Sequence, residues 1–158
     1  MNVTVINTIK AVIAYLESKA VGDAALVNNI FTGPNEERTN KAKKFITLLY
    51  EMNPLMDELG DGTAKWEIDF TIIMGYRIDV TDITGTEKEI GDTFFETFTR
   101  YLRSYEFKEY MAVRGIKVPP VQMTRGWRDM FSKEFEGIMR YNLSMKLWTY
   151  INALEDIP

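Results

Sequence analysis

From Trp66 to Val80 every even position is apolar or aromatic: Trp66, Ile68, Phe70, Ile72, Met74, Tyr76, Ile78 and Val80. Between them stand Glu67, Asp69, Thr71, Ile73, Gly75, Arg77 and Asp79. Successive side chains of a strand point to opposite faces, so a period of two this long describes a strand with one dry and one wet side. At about 3.3 Å per residue it reaches roughly 50 Å, more than the width of most small domains. Such a strand either bends, with Gly75 as the seat of a bulge, or projects as an arm. A second segment mirrors it. Phe135, Met139, Tyr141, Leu143, Met145, Leu147 and Ile151 hold odd positions, and Glu136, Arg140, Asn142, Ser144 and Lys146 hold even ones. Trp148 and Tyr150 break its wet side, so that end is expected to touch something else. Two amphipathic strands of this length most simply pair with each other, 66–80 against 135–151.

The remaining elements are shorter. Ile6, Ile9, Val12, Ile13 and Leu16 recur at three and four residues, the stripe of a helix expected over Val5–Lys19 with Gly22 beyond its end. Thr32-Gly33-Pro34-Asn35 is a turn signal, and the polar stretch after it reads as loop or short helix. Lys43–Glu51 reads as a buried strand stopped by Asn53-Pro54. Asp79–Gly91 reads as a polar loop. A second helix follows, with Asp92 or Thr93 as cap and a stripe of Phe94, Phe95, Phe98, Tyr101, Leu102 and Tyr105, continuing in one reading through 106–110. Arg114–Thr124 looks extended, confined to an edge or a break by Pro119-Pro120. Helices and strands do not alternate as βαβ units. The expected architecture is therefore α+β: one domain over 1–158, an antiparallel or mixed sheet with two long strands, and two helices packed on one face. The long pair, read as a β-hairpin, is the part able to project.

Composition narrows the function. The chain has 158 residues, no Cys and no His. Disulfides, thiolate metal sites, thiol nucleophiles and His-dependent acid–base catalysis are excluded. No phosphate-cradling glycine loop or dinucleotide fingerprint occurs. The acidic residues Asp57, Glu58 and Asp61 lack the offsets of a calcium loop and read as a solvated turn. Asp79, Asp82, Glu87 and Glu89 could hold a hard cation, but nothing in their spacing demands one. Glu67 and Asp69 share a strand face and could act as paired carboxylates, although a wet face would look the same. No catalytic, cofactor or metal residue is therefore assigned. The N-terminus does not read as a signal peptide, and the longest apolar run, Phe45–Tyr50, is far short of the ~20 residues of a spanning helix. A soluble chain with no membrane partner is expected.

The net charge of −4 hides a polarity. Residues 51–96 carry twelve acidic and three basic side chains, and residues 100–133 carry eight basic and three acidic ones. If these blocks form separate patches, copies of the chain attract one another head to tail; if they intermix, they serve solubility. The segment Val121–Phe131 gathers Arg125, Trp127, Arg128 and Phe131, a composition favoured at interface hot spots. Core packing with snorkelling arginines explains it equally well, and stacking on single-stranded nucleic acid is a third reading. Trp148 and Tyr150 join these four as candidate interface residues.

The arrangement resembles a family, the tail terminator proteins of long-tailed bacteriophages, the lambda terminator among them. These are small, Cys-poor α+β proteins that open on an amphipathic helix. The resemblance is carried by YRIDVTDITGTEKEIGDTFFETFTRYL, Tyr76–Leu102, where a strand passes through an Asp-rich loop into the second helix. IFTGPNEE followed by KKFITLLYE, Lys43–Glu51, is similar to the family's loop and strand after helix one. The match is one of pattern over nearly the whole chain. It implies a virion protein of the tail and neck, assembled in the host cytoplasm, that forms a homo-oligomeric ring, a hexamer in that family. The ring would cap the tail tube, stop its polymerisation and join it to the head connector. Its implied partners are its own copies, the tail tube protein and the connector protein. Genome DNA would pass through without specific binding, repelled by acidic lumen residues, for which Glu67, Asp69, Asp79 and Asp82 are the candidates. The long strands would supply the contact between subunits or with the tube. Three other readings stay open: a head-completion or connector protein of the neck, a small carboxylate–metal enzyme, and a cytosolic dimeric α+β binding domain.

Overall fold

A computed structural model describes residues 5–26, 28–32, 42–59, 63–77, 85–118, 127–130 and 138–152. The order is α1 (Val5–Ala20), β1 (Ile30–Thr32), β2 (Lys44–Leu59), β3 (Thr63–Arg77), α2 (Gly85–Arg103), α3 (Tyr105–Ala112), β4 (Ile116–Lys117), β5 (Trp127–Met130) and β6 (Ile138–Asn152). The fold is α+β, with a mixed sheet in the order β1-β2-β3-β6-β4 and β5 also paired with β6. Only the β1–β2 pair is parallel among the described strands.

The alternating segment forms β3, the centre of the sheet. It pairs with β2 on one side and β6 on the other, from Thr63↔Asn152 to Arg77↔Ile138. Residues 78–80 and 135–137, the outer ends of the expected pair, lie outside the described residues. β3 and β6 are far apart in sequence, so they form no hairpin; the hairpin partner of β3 is β2. That strand was expected to stop at Asn53-Pro54, but it runs on to Leu59. Pro54 stands opposite Trp66, in the half of β2 that has β3 on one side and no described strand on the other. A residue without an N–H is tolerated at such a margin.

Gly75 seats no bulge. Register runs without a break through Phe45↔Gly75 and Gly75↔Arg140, and the shift lies instead between Leu55 and Glu58 of β2. The absent side chain at Gly75 makes room for the Phe45 ring, which would lie 2.0 Å from a β-carbon built there. Covering a strand glycine with a cross-strand aromatic is a known way to recover the packing that glycine gives up.

The even side of β3, Ile68, Phe70, Ile72, Met74 and Tyr76, is buried in one cluster with Ile46 and Leu48 of β2 and Tyr141, Leu143, Met145 and Leu147 of β6. The helices complete it through Val12 and Leu16 of α1, Phe94, Phe98 and Leu102 of α2, and Phe107 and Met111 of α3. Each such side chain contributes about 1.5–3 kcal/mol on burial. Ile6, placed in the α1 stripe by its spacing, is 62% exposed, and Tyr15 takes a place in the core. The Tyr15 ring packs 4.9 Å from Phe107 and 5.3 Å from Tyr110, and its hydroxyl donates to the Tyr101 carbonyl at 3.1 Å. A smaller cluster of Phe31, Ala42 and Phe45, with Ile73 against it, occupies the other side of the sheet.

Two helix boundaries differ from expectation. α2 begins at Gly85, inside the segment read as loop. Thr86, Lys88, Glu89 and Ile90 are all exposed, so the first turns bury no stripe that could betray a helix. Residues 105–112 form a separate helix rather than a continuation. Ser104 adopts an extended conformation (φ −74°, ψ 156°), and its hydroxyl accepts from the Phe107 N–H at 3.1 Å, an N-cap that ends one helix and starts the next. Of the extended segment expected over Arg114–Thr124, Ile116–Lys117 is strand, Gly115 enters it at φ 75°, and residues 119–124 lie outside the described residues.

Candidate functional site

The side of β3 that faces away from the helices carries the candidate site. Register fixes its rows. Glu51 of β2, Asp69 of β3 and Lys146 of β6 form one row, and Asn53, Glu67, Trp148 and Lys117 of β4 form the next. On the other side of the first row come Leu49–Thr71–Ser144 and then Thr47–Ile73–Asn142. Strand pairing makes this surface broad and stiff, and the alternation that buries the even side of β3 necessarily turns its odd residues here.

Lys146 Nζ sits 3.8 Å from both Glu67 Oε2 and Asp69 Oδ1. Trp148 Nε1 donates to Glu67 Oε1 at 3.3 Å, and Lys117 Nζ lies 5.5 Å from the centre of the Trp148 ring. Three carboxylates, Glu51, Glu67 and Asp69, thus share two adjacent rows with two ammonium groups. Ion pairs this open contribute little to stability. Acids and bases nearly balance across these rows, with Arg77 and Arg140 further along the same side.

The structure brings some of the expected site residues together and not others. Glu67 and Asp69 stand side by side as the alternation required. Asp79, Asp82, Arg125 and Phe131 lie outside the described residues. Trp127 and Arg128 belong to β5, where their backbones pair with Asn142 and Tyr141. Trp148, half-buried and engaged by Glu67 and Lys117, stands six residues further along β6, about 20 Å away. Tyr150 follows opposite Lys65. The candidate interface residues therefore fall at two separate heights of one strand.

Sequence reading missed two exposed apolar residues on the opposite side of β2. Tyr50 is 42% and Met52 48% exposed, in the half of β2 that no described strand flanks. Tyr50, Met52 and Pro54 alternate as strand residues do, but a proline in sequence alone reads as a stop. Elsewhere, a groove of about 390 Å³ runs between the start of α2 and Lys44, which pairs with Asp23 at 2.7 Å. Among the described residues no three of Asp, Glu, His and Cys gather as metal ligands, and no helix is long and apolar enough to cross a membrane.

No protein-family model matches the chain, and no curated protein matches it.

Proposed function

We propose that this chain is a structural virion protein whose copies form a ring that caps the tail tube of a long-tailed bacteriophage and joins it to the head connector. One observation carries the reading: a stiff sheet of three long strands whose one side packs against the helices, while the other side, buried only around Phe31, Ala42 and Phe45 among the described residues, presents Glu51, Glu67 and Asp69. A ring built from such subunits, with this second side inward, has a smooth lumen of strands. Its carboxylates are balanced by Lys117, Lys146, Arg77 and Arg140 on the same side, so the wall carries no strong charge with which to hold DNA. The length of β2 that no described strand flanks, with exposed Tyr50 and Met52, supplies an edge able to receive another chain. The absence of Cys and His accords with a part that assembles and performs no acid–base chemistry. The resemblance across Tyr76–Leu102 and Lys43–Glu51 adds the tube as the partner.

The test is to add the purified chain to growing tail tubes made from the tube protein encoded in the same genome, and to follow tube length by electron microscopy. Tubes that stop growing and carry a ring at one end support the proposal. Tubes that lengthen at the control rate and carry no ring overturn it.

A further inference from the structure

The four principal strands alternate in direction. β2–β3, β3–β6 and β6–β4 are all antiparallel, so β2 and β6 run one way and β3 and β4 the other. The sheet therefore has two unlike margins. β2 is flanked by β1 only at Ile46, Thr47 and Leu48, and from Leu49 to Leu59 no described strand lies on its outer side. At the other margin, no described strand follows β4.

We propose that the open length of β2 seats the β4 margin of a second copy, continuing the sheet head to tail from chain to chain. This rests on the ring reading and names its interface. Direction permits it, because β2 beside β4 keeps the alternation antiparallel. Height permits it as well. The row that ends on Lys117 begins on Asn53, two residues from Glu51, so the margins meet with an axial offset of only about 7 Å. The faces also match. Lys117 is opposite Trp148, on the side that carries Glu51, while Ile116 is opposite Thr149, on the side that carries Tyr50 and Met52. A continued sheet thus sets Lys117 near Glu51, a cross-strand combination that stabilises a pair, while Ile116, 2% exposed, stays in its own core beneath the seam.

Charge selects this partner over the symmetric one. Residues 49–59 hold three carboxylates and no cation, so two β2 margins joined about a two-fold axis would set acid against acid. The segment around β4 supplies Arg114 and the exposed Lys117, and Val113 just ahead of it is 77% exposed. A head-to-tail contact of this kind closes into a ring when its rotation allows.

The experiment is a charge swap read by sedimentation velocity at low salt. Wild type is expected to associate. Glu51→Lys and Lys117→Glu should each raise the concentration needed for association about tenfold, and the double variant Glu51→Lys/Lys117→Glu should recover most of that loss. Circular dichroism confirms folding, which neither exposed position should alter. Association indifferent to both single changes overturns the interface and leaves the ring reading standing. Because the chain has no Cys of its own, Met52→Cys treated with a short bismaleimide reports the symmetric alternative: covalent dimers from that single variant overturn the head-to-tail contact. A wild type that stays monomeric to its solubility limit overturns it too, while the ring reading then falls only if the chain also fails to arrest tube growth.

Discussion

Replacing Gly75 with alanine puts a methyl group where the Phe45 ring lies. A β-carbon built at Gly75 meets three ring atoms of Phe45 at 2.0, 2.2 and 2.6 Å, all closer than real contacts allow. Two responses are open to the protein. The ring can stay, and the β2–β3 pair must then spread around it, an overpacking that costs about 1–3 kcal/mol. Alternatively the ring, now 1% exposed against Phe31, Ala42 and Ile73, can swing outward and forfeit most of the ~1.5–3 kcal/mol its burial supplies. Both routes predict a loss of about 1–3 kcal/mol. For a chain of this size that is a fall in melting temperature of roughly 2–12 °C. Thermal unfolding followed by circular dichroism measures it. Phe45→Leu should itself be destabilising, yet Gly75→Ala should cost distinctly less in the Phe45→Leu background, because the colliding ring is gone. A coupling of 0.5 kcal/mol or more in the double-mutant cycle is expected of residues in contact. An unchanged melting temperature for Gly75→Ala, or strict additivity of the two changes, would refute the claim that the ring occupies the glycine's place.

Three further predictions follow from the helical layer. Ser104→Ala removes the N-cap of α3 and should cost about 1 kcal/mol in urea unfolding, with Ser104→Asp retaining most of it. Tyr141→Phe removes the hydroxyl that donates to Asp92 Oδ1; the expected loss is about 1.5–3 kcal/mol, since the acceptor is charged, and chemical denaturation reads it. Burial raises the Tyr15 phenol above its ordinary value near 10, against a smaller opposing effect of the Ser104 hydroxyl. In alkaline solution the unfolded chain then loses that proton before the folded one does, so the contribution is intact below pH 10 and declines as pH climbs toward the folded value. Urea midpoints measured from pH 9 upward should fall less steeply for Tyr15→Phe than for wild type.

The parts of this molecule that could be read from sequence are those in which one side of an element is dry and the other wet. β3 and β6 announced themselves because alternation over so many residues has no helical counterpart, and Glu67 and Asp69 were found on a common face for the same reason. The α1 stripe was visible, although its first member, Ile6, proved exposed: periodicity gives a direction around a helix and not the length over which neighbours cover it. The start of α2 was illegible because Thr86, Lys88 and Glu89 are solvated, and a helix turn that buries nothing has the composition of a loop. Pro54 misled because its meaning depends on whether another strand lies beside it, which is a property of the sheet and not of the segment. Tyr50 and Met52 were overlooked as surface residues for the reverse reason: apolar residues on a strand are assumed to be covered, and only the assembled fold reveals that these are not.

The register shift of β2 bears on more than its own hairpin. Between Leu55 and Glu58 the strand carries two residues more than β3 uses to cover the same span, so its outer line of amides and carbonyls cannot stay straight to the tip. Any strand laid along Leu49–Leu55 would meet this irregularity next. The molecule thereby offers a landing place of limited length, whose irregular end works against the endless stacking by which bare sheet edges turn into fibres.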